Sequence, residues 1–235
     1  MSDRKPIAIA IDGPAASGKS STAQWVARRL GFHHVDSGSL YRAATAAQLD
    51  QKERVDAERW TDEMVLQAAN RVTFVPAEGA FAPLLDGAPC DAALRSVEVT
   101  KHVSRVAKMP RVRDWVNELV RRTAGARDVV VDGRDIGTVV FPDAELKVFL
   151  VADPWERARR RLIQRLDRHP TEDEIAAETD AIVHRDAKDA TQTVQATDAI
   201  LIDTTYLTQE DQVERIVALA KAVTRRPDKT SAVDE

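Results

Sequence analysis

The sequence predicts an α/β fold of three layers, a parallel sheet covered by helices on both faces. Short apolar runs alternate with amphipathic stretches along the chain, the pattern of strands joined by crossover helices. The first run opens into a glycine-rich turn followed by helical spacing, and several runs end in aspartate, as strands do at the carboxyl edge of a doubly wound sheet. A length of 235 residues suits one such domain with an insertion.

Each element has a local reason. Ile7 to Ile11 is an apolar run ending in Asp12, the signature of a buried parallel strand. From Gly18, Ala23, Val26, Ala27 and Leu30 recur at helical spacing, and Gly31 stands where a C-terminal cap belongs. His33 to Val35 reads as a second strand, with Asp36 and Ser37 turning into a helix through Leu40, Ala43, Ala44 and Ala47. Val72 to Val75 and Phe81 to Leu85 read as short strands of a small β insertion, broken by Gly79, Gly87 and prolines. Helices are expected around Val97 to Ala107 and again from Pro110, a residue suited to a first helical turn. Val129 to Val131, closed by Asp132, and Leu146 to Val151, closed by Asp153, read as strands.

Pro154 to Arg168 carries an apolar stripe, Trp155, Ala158, Leu162 and Leu166, beside a basic one, Arg157, Arg161, Arg165 and Arg168. Thr171 and Glu174 form a capping box for a helix reaching about Lys188. Ala199 to Ile202 is the last expected strand, and Thr208 starts a helix with Val213, Ile216, Val217 and Ala220.

A net charge of −4 argues against broad affinity for nucleic acid or anionic membrane, so an anionic ligand must meet local basic clusters. The single cysteine, Cys90, excludes an intrachain disulfide and fits a reducing compartment. With no signal-peptide-like start and no long apolar run, the expectation is a soluble, cytoplasmic domain over 1–224 and a disordered tail over 225–235.

Gly13-Pro14-Ala15-Ala16-Ser17-Gly18-Lys19-Ser20, with Ser21 after it, matches the phosphate-loop pattern between a strand and a helix. Its glycines let successive N–H groups turn inward, and the helix start adds positive potential. Lys19 would bridge the β- and γ-phosphates of ATP, and the Ser20 hydroxyl would join a Mg²⁺ shell. Asp132 is the candidate to hold that Mg²⁺ through water, although Asp12 and Asp153 also close strands and such residues often serve only as caps.

A second phosphate brought to the first needs fixed cations between them. Arginine suits this because its planar fork grips phosphate oxygens in pairs. The candidates are Arg42 beside Tyr41, Arg111 and Arg113 after Pro110, Arg134 within Asp132-Gly133-Arg134-Asp135, and Arg185. His33, His34, His102, His169 and His184 are read as structural or surface residues, because a monophosphate oxygen is already largely anionic near neutrality and needs no base.

These segments resemble bacterial cytidylate kinase. The resemblance runs from Ile7 to about Ala222 and rests on Ile11-Asp12-Gly13-Pro14, Asp36-Ser37-Gly38 with Tyr41-Arg42, Pro110 to Arg113, and Asp132 to Pro142. It implies a P-loop nucleoside monophosphate kinase fold with a five-stranded parallel core, a monophosphate-binding insertion over about 37–110 and a helical lid over about 157–190. It also implies transfer of the γ-phosphoryl group of ATP to CMP or dCMP, Mg²⁺ as cofactor, and small-molecule nucleotides as the partners of a monomer. By the same resemblance Ser104, Arg113 and Asp135 read the cytosine edge, and Ser37, Tyr41, Arg42 and Arg134 hold the acceptor phosphate. Arg185 and Asp189 reach the ribose or phosphates from the lid helix. Lys19, Arg42, Arg134 and Arg185 are the implied catalytic set. The chain departs from the family at Gln192, where the resemblance would place another arginine. A kinase for UMP, AMP, dTMP or a small hydroxyl substrate, and a nucleotide-dependent switch, are the rival readings.

Overall fold

A computed structural model describes residues 5–53, 55–125, 127–166 and 168–224; the expected tail lies outside them. The strands are β1 (Ala8–Asp12), β2 (His33–Asp36), β3 (Val72–Ala77), β4 (Ala80–Leu85), β5 (Ala88–Pro89), β6 (Val129–Gly133), β7 (Leu146–Val151) and β8 (Ile200–Asp203). The α-helices are α1 (Lys19–Leu30), α2 (Ser37–Leu49), α3 (Asp62–Ala69), α4 (Asp91–Leu94), α5 (Val97–Val106), α6 (Pro110–Ala124), α7 (Pro154–Leu166), α8 (Glu172–Asp189) and α9 (Gln209–Thr224).

One eight-stranded sheet runs in the order β3-β4-β2-β6-β1-β7-β8, with β5 beside β4. From β2 to β8 every pairing is parallel, which is the five-stranded core the resemblance implied. The insertion does not stand apart from this core. β3 and β5 pair antiparallel with β4, and β4 joins β2 through one parallel bridge, His34 to Ala80. Pro76 and Pro83 lie inside β3 and β4 rather than breaking them.

Side chains alternate across a strand, so each core strand feeds two layers. Ile9, Ile11, Val130, Val148 and Leu150 pack against Ala23, Val26 and Ala27 of α1 and Val213, Ile216 and Ala220 of α9. Ala10, Val35, Val129 and Val131 pack on the other face against Leu40 of α2 and Val116 and Val120 of α6. Each fully buried aliphatic side chain contributes about 1.5–3 kcal/mol of transfer free energy.

Most element ends follow the sequence signals. Gly31 ends α1 at φ 71°, and the Thr171–Glu174 capping box forms in both directions. Besides the four-residue α4, two segments have no counterpart among those signals. The first is α3 with its preceding 3-10 turn, Ala57–Arg59; Thr61 caps α3 and Val65, Ala68 and Ala69 are its buried side. The second is a π turn over Ile136–Val140, where the residues after β6 bend back along the sheet. Trp155 is also a correction: it is 39% exposed, so the buried stripe of α7 is carried by Ala158 and Leu162.

The topology fixes where a ligand can sit. The chain leaves β1 toward β2 on one side and leaves β6 toward β7 on the other, and β1 and β6 are neighbours. Their carboxyl ends therefore flank a topological switch point, the place where open α/β sheets leave a crevice. The phosphate loop follows β1, and Gly133-Arg134-Asp135 follows β6.

Candidate active site

A cleft of about 770 Å³ opens at this switch point. Ala15 to Ser21 line it, and so do Asp36, Ser37, Tyr41, Arg42, Ser104, Arg113, Asp132, Arg134, Asp135, Arg185 and Asp189. Elements of the β1-β7-β8 half and of the β2-β6 half thus meet in one space. Of the arginines proposed from sequence, Arg111 does not join them; its exposed side chain pairs with Glu63.

Gly13 and Pro14 shape the loop from behind instead of lining the cleft. A Cβ on Gly13 would stand 2.3 Å from the Leu150 carbonyl oxygen, so only glycine lets the loop leave β1 this close to β7. Positive φ at Ala16 and Gly18 then curls the backbone into α1. Lys19 is buried, and its Nζ donates to the Pro14 carbonyl at 2.9 Å. Burial, with Arg134 beside it, lowers the Lys19 pKa to about 7 against the opposing pull of Asp132 and Asp36. A buried cation without a full counter-charge is prepared for an anion.

The outer rim of the loop is held by residues of α7 and α8. The Ala15 N–H donates to Asp186 Oδ1 at 3.0 Å. Arg157 Nη1 donates to the Ala15 carbonyl at 2.7 Å and to Asp186 Oδ2 at 2.6 Å, and Arg157 Nε donates to the Ala152 carbonyl at 3.0 Å. Nothing local in the sequence marks Arg157 and Asp186 as a clamp, because both come to the loop through long-range packing.

Four aspartates at or just beyond strand ends, Asp12, Asp36, Asp132 and Asp153, meet different surroundings. Asp12 faces away from α1 and accepts from the Ile136 and Gly137 N–H groups, each at 2.8 Å; burial raises its pKa to about 6. Asp153 caps α7 by accepting from Trp155 and Glu156 N–H. Asp36 and Asp132 are register partners on neighbouring parallel strands and both line the cleft. Burial first, then the Asp132 charge, raises Asp36 to about 6. Asp132 Oδ1 meets His34 Nε2 at 2.7 Å. For His34, burial favours the neutral ring, but the hydrogen bond and the two carboxylates outweigh it and raise its pKa. Asp36 and His34 are site elements that the sequence reading passed over as a turn residue and a structural histidine.

Around the rest of the cleft, several polar side chains are braced. Ser37 Oγ donates to the Asp132 carbonyl at 2.8 Å, and a Cβ on the adjoining Gly133 would lie 2.6 Å from that hydroxyl. Arg42 donates to the Leu94 carbonyl at 3.0 Å and to Thr100 Oγ1 at 3.3 Å. Arg134 donates to the Gly13 carbonyl at 3.2 Å and to Asp189 Oδ2 at 3.5 Å, which ties the segment after β6 to the phosphate loop and to α8. Arg185 lies 3.7 Å from Asp189, and burial together with Arg134 and Arg42 lowers its pKa to about 10. Arg113 forms an ion pair with Asp135 and donates to the Ala107 carbonyl at 3.2 Å. Burial is the first cause of the raised Asp135 pKa, with Arg113 opposing it. Desolvation pushes the partly buried Tyr41 phenol up to about 12.

Native interiors leave few polar atoms unpaired. Among the described residues six buried side-chain atoms have no hydrogen-bond partner: Ser17 Oγ, Arg134 Nε, Arg185 Nε and Asp189 Oδ1 belong to the cleft, whereas Gln48 Oε1 and Arg105 Nε do not. Two unpaired guanidinium nitrogens, a poised lysine and a curled loop suit a polyanion. No cluster of three or more His, Cys, Asp or Glu able to hold a metal by itself occurs among the described residues. The set present, the Ser20 hydroxyl with the Asp132 and Asp36 carboxylates, instead fits Mg²⁺, which takes one or two carboxylates and completes its shell with phosphate and water.

Comparison with known proteins gives the same direction. The cytidylate kinase family profile matches residues 9–222. A cytidylate kinase of Limosilactobacillus fermentum is 43% identical over 217 residues, covering 90% of this chain and 94% of that one. Those of Chloroherpeton thalassium and Desulfitobacterium hafniense are each 42% identical. The first aligns over 226 residues (93% of this chain, 95% of the relative) and the second over 219 residues (92% and 93%).

Proposed function

The chain belongs to the cytidylate kinase family, and from that premise we propose how its cleft moves the γ-phosphoryl group of ATP onto CMP or dCMP. The observation that carries the reading is the Arg113–Asp135 pair in the same cleft as the phosphate loop. Cytosine offers an amino donor beside acceptor atoms. A carboxylate and a guanidinium held side by side can answer both, with Ser104 as a third polar contact.

On the donor side, the loop amides from Ala15 to Ser21 and Lys19 grip the triphosphate. Ser20, Asp132 and the phosphates would hold Mg²⁺, which when bound neutralises charge between the β- and γ-phosphates. On the acceptor side, Ser37, Tyr41, Arg42 and Arg134 orient the monophosphate, and Arg185 and Asp189 approach its sugar or phosphate from α8. The attacking oxygen is anionic, so the chain contributes positioning and positive charge instead of a base. Gln192 lines the cleft without adding a charge.

The same reading takes the protein as a working monomer of one domain over 1–224, its core carrying a monophosphate-binding insertion over about 37–110 and a lid over about 157–190. No helix among the described residues is long and apolar enough to cross a membrane. Together with the free thiol of Cys90 this supports a cytoplasmic location.

A coupled assay of ADP release with ATP, magnesium and each of CMP, dCMP, UMP, AMP and dTMP tests the proposal. CMP or dCMP should give the highest kcat/KM. A higher value with AMP or dTMP, or ADP release that ignores the acceptor, would overturn it.

A further inference from the structure

His34 is 7% exposed, and Asp132, its partner, is 2% exposed. The contact joins neighbouring strands diagonally: His34 is in register with Val130, while Asp132 is in register with Asp36. Residues two apart share a face, so His34, Asp36 and Asp132 all lie on the face covered by α1, the helix that begins at Lys19. A carboxylate only accepts, so Nε2 carries the hydrogen. The bond engages Oδ1 and leaves Oδ2 for the cleft that Asp132 lines. His34 itself does not line that cleft. An aliphatic residue would fill the same space without the cost of burying an imidazole, so packing alone does not account for it.

We propose that His34 is a positioning residue: its Nε2–H fixes the Asp132 carboxylate in one orientation, so that the free oxygen meets the metal–phosphate group ready-made. The inference rests on the reading of Asp132 as the metal-side carboxylate. Groups that orient such a carboxylate from behind change metal affinity or activity by about 10–100-fold when removed.

Two substitutions separate this role from packing. Glutamine can place its amide nitrogen near the position of Nε2, whereas leucine fills the volume and offers no donor. His34→Leu should lower kcat at least about tenfold and raise the Mg²⁺ concentration for half-maximal ATP binding in calorimetry by a similar factor, with KM for CMP within about twofold. His34→Gln should recover most of both losses. His34→Leu with normal kcat and normal Mg²⁺ dependence overturns the proposal, and so does equal damage in the glutamine variant.

Asp132→Asn tells the two levels apart. If it too is harmless, the metal-side reading of Asp132 fails; if it is crippled while His34→Leu is normal, only the role of His34 fails. Should His34→Leu not fold, the imidazole ¹H–¹⁵N spectrum of the wild-type chain decides. An Nε2-protonated ring whose signal moves when Mg²⁺ and ADP are added supports the proposal, and an Nδ1-protonated ring that is indifferent to them overturns it.

Discussion

Arg113 in the first turn of α6 and Asp135 just beyond β6 form an ion pair across 22 residues of sequence, with little of either side chain exposed. The pair costs desolvation and is offset by mutual attraction, an arrangement that is unfavourable to break from one side. Asp135→Asn keeps the shape and removes the charge. Loss of a hydrogen bond to a charged group weakens binding by about 1.5–3 kcal/mol. KM for CMP should therefore rise by about one to two orders of magnitude in steady-state kinetics, with KM for ATP nearly unchanged. An unaltered KM for CMP would remove Asp135 from base recognition.

Lys19, with its pKa lowered to about 7, is largely neutral in the free protein at pH 8. A bound triphosphate favours the charged form, so ATP binding should take up a proton. Calorimetry at pH 8 in buffers of different ionisation heat should show uptake approaching one proton, and Lys19→Met should abolish it. The same variant should lose about two to three orders of magnitude in kcat and keep its circular dichroism.

Asp36 titrates in the opposite sense. Its folded pKa of about 6 lies above the ordinary aspartate value of 3.8, so its contribution to stability is full below about pH 4 and is lost as pH rises through about 6. Asp36→Asn removes the repulsion toward Asp132 and retains a side chain that can accept from the Ser39 N–H, now made at 3.1 Å. The variant should gain thermal stability at pH 8 and little at pH 4. A gain of equal size at both pH values would contradict the Asp36–Asp132 repulsion.

Arg157→Ala leaves Asp186 with the Ala15 N–H but without its cation beside the loop. Breaking one side of a buried pair costs about 3–5 kcal/mol. Denaturant unfolding should show a loss of about this size, accompanied by weaker ATP binding. Arg157→Ala with wild-type stability would mean that the clamp is not formed in solution.

Local chemistry made part of this molecule legible. The phosphate loop, the capping box at Thr171 and the apolar strand cores are written within a few residues of one another, and each appears as expected. Contacts between distant positions are not written that way. His34 and Asp132 are 98 residues apart, and only the parallel register of β2 and β6 brings them together. The different uses of Asp12, Asp36, Asp132 and Asp153 depend on which face of the sheet, or which helix start, each meets. Arg111 and Arg113 look alike in sequence; two residues along α6, one side chain faces Glu63 and the other Asp135. Trp155 shares the helical spacing of Ala158 and Leu162, and spacing alone does not tell that it is 39% exposed.

The carboxylate of Asp186 that holds the Ala15 N–H stands 171 residues downstream of it. During synthesis the chain grows from the N-terminus, and its domains gain structure as they emerge. The motif that captures the donor nucleotide is thus made well before α8, the helix that brings its Asp186 fastening. A nascent chain halted before that helix would carry the complete motif and still lack the finished grip.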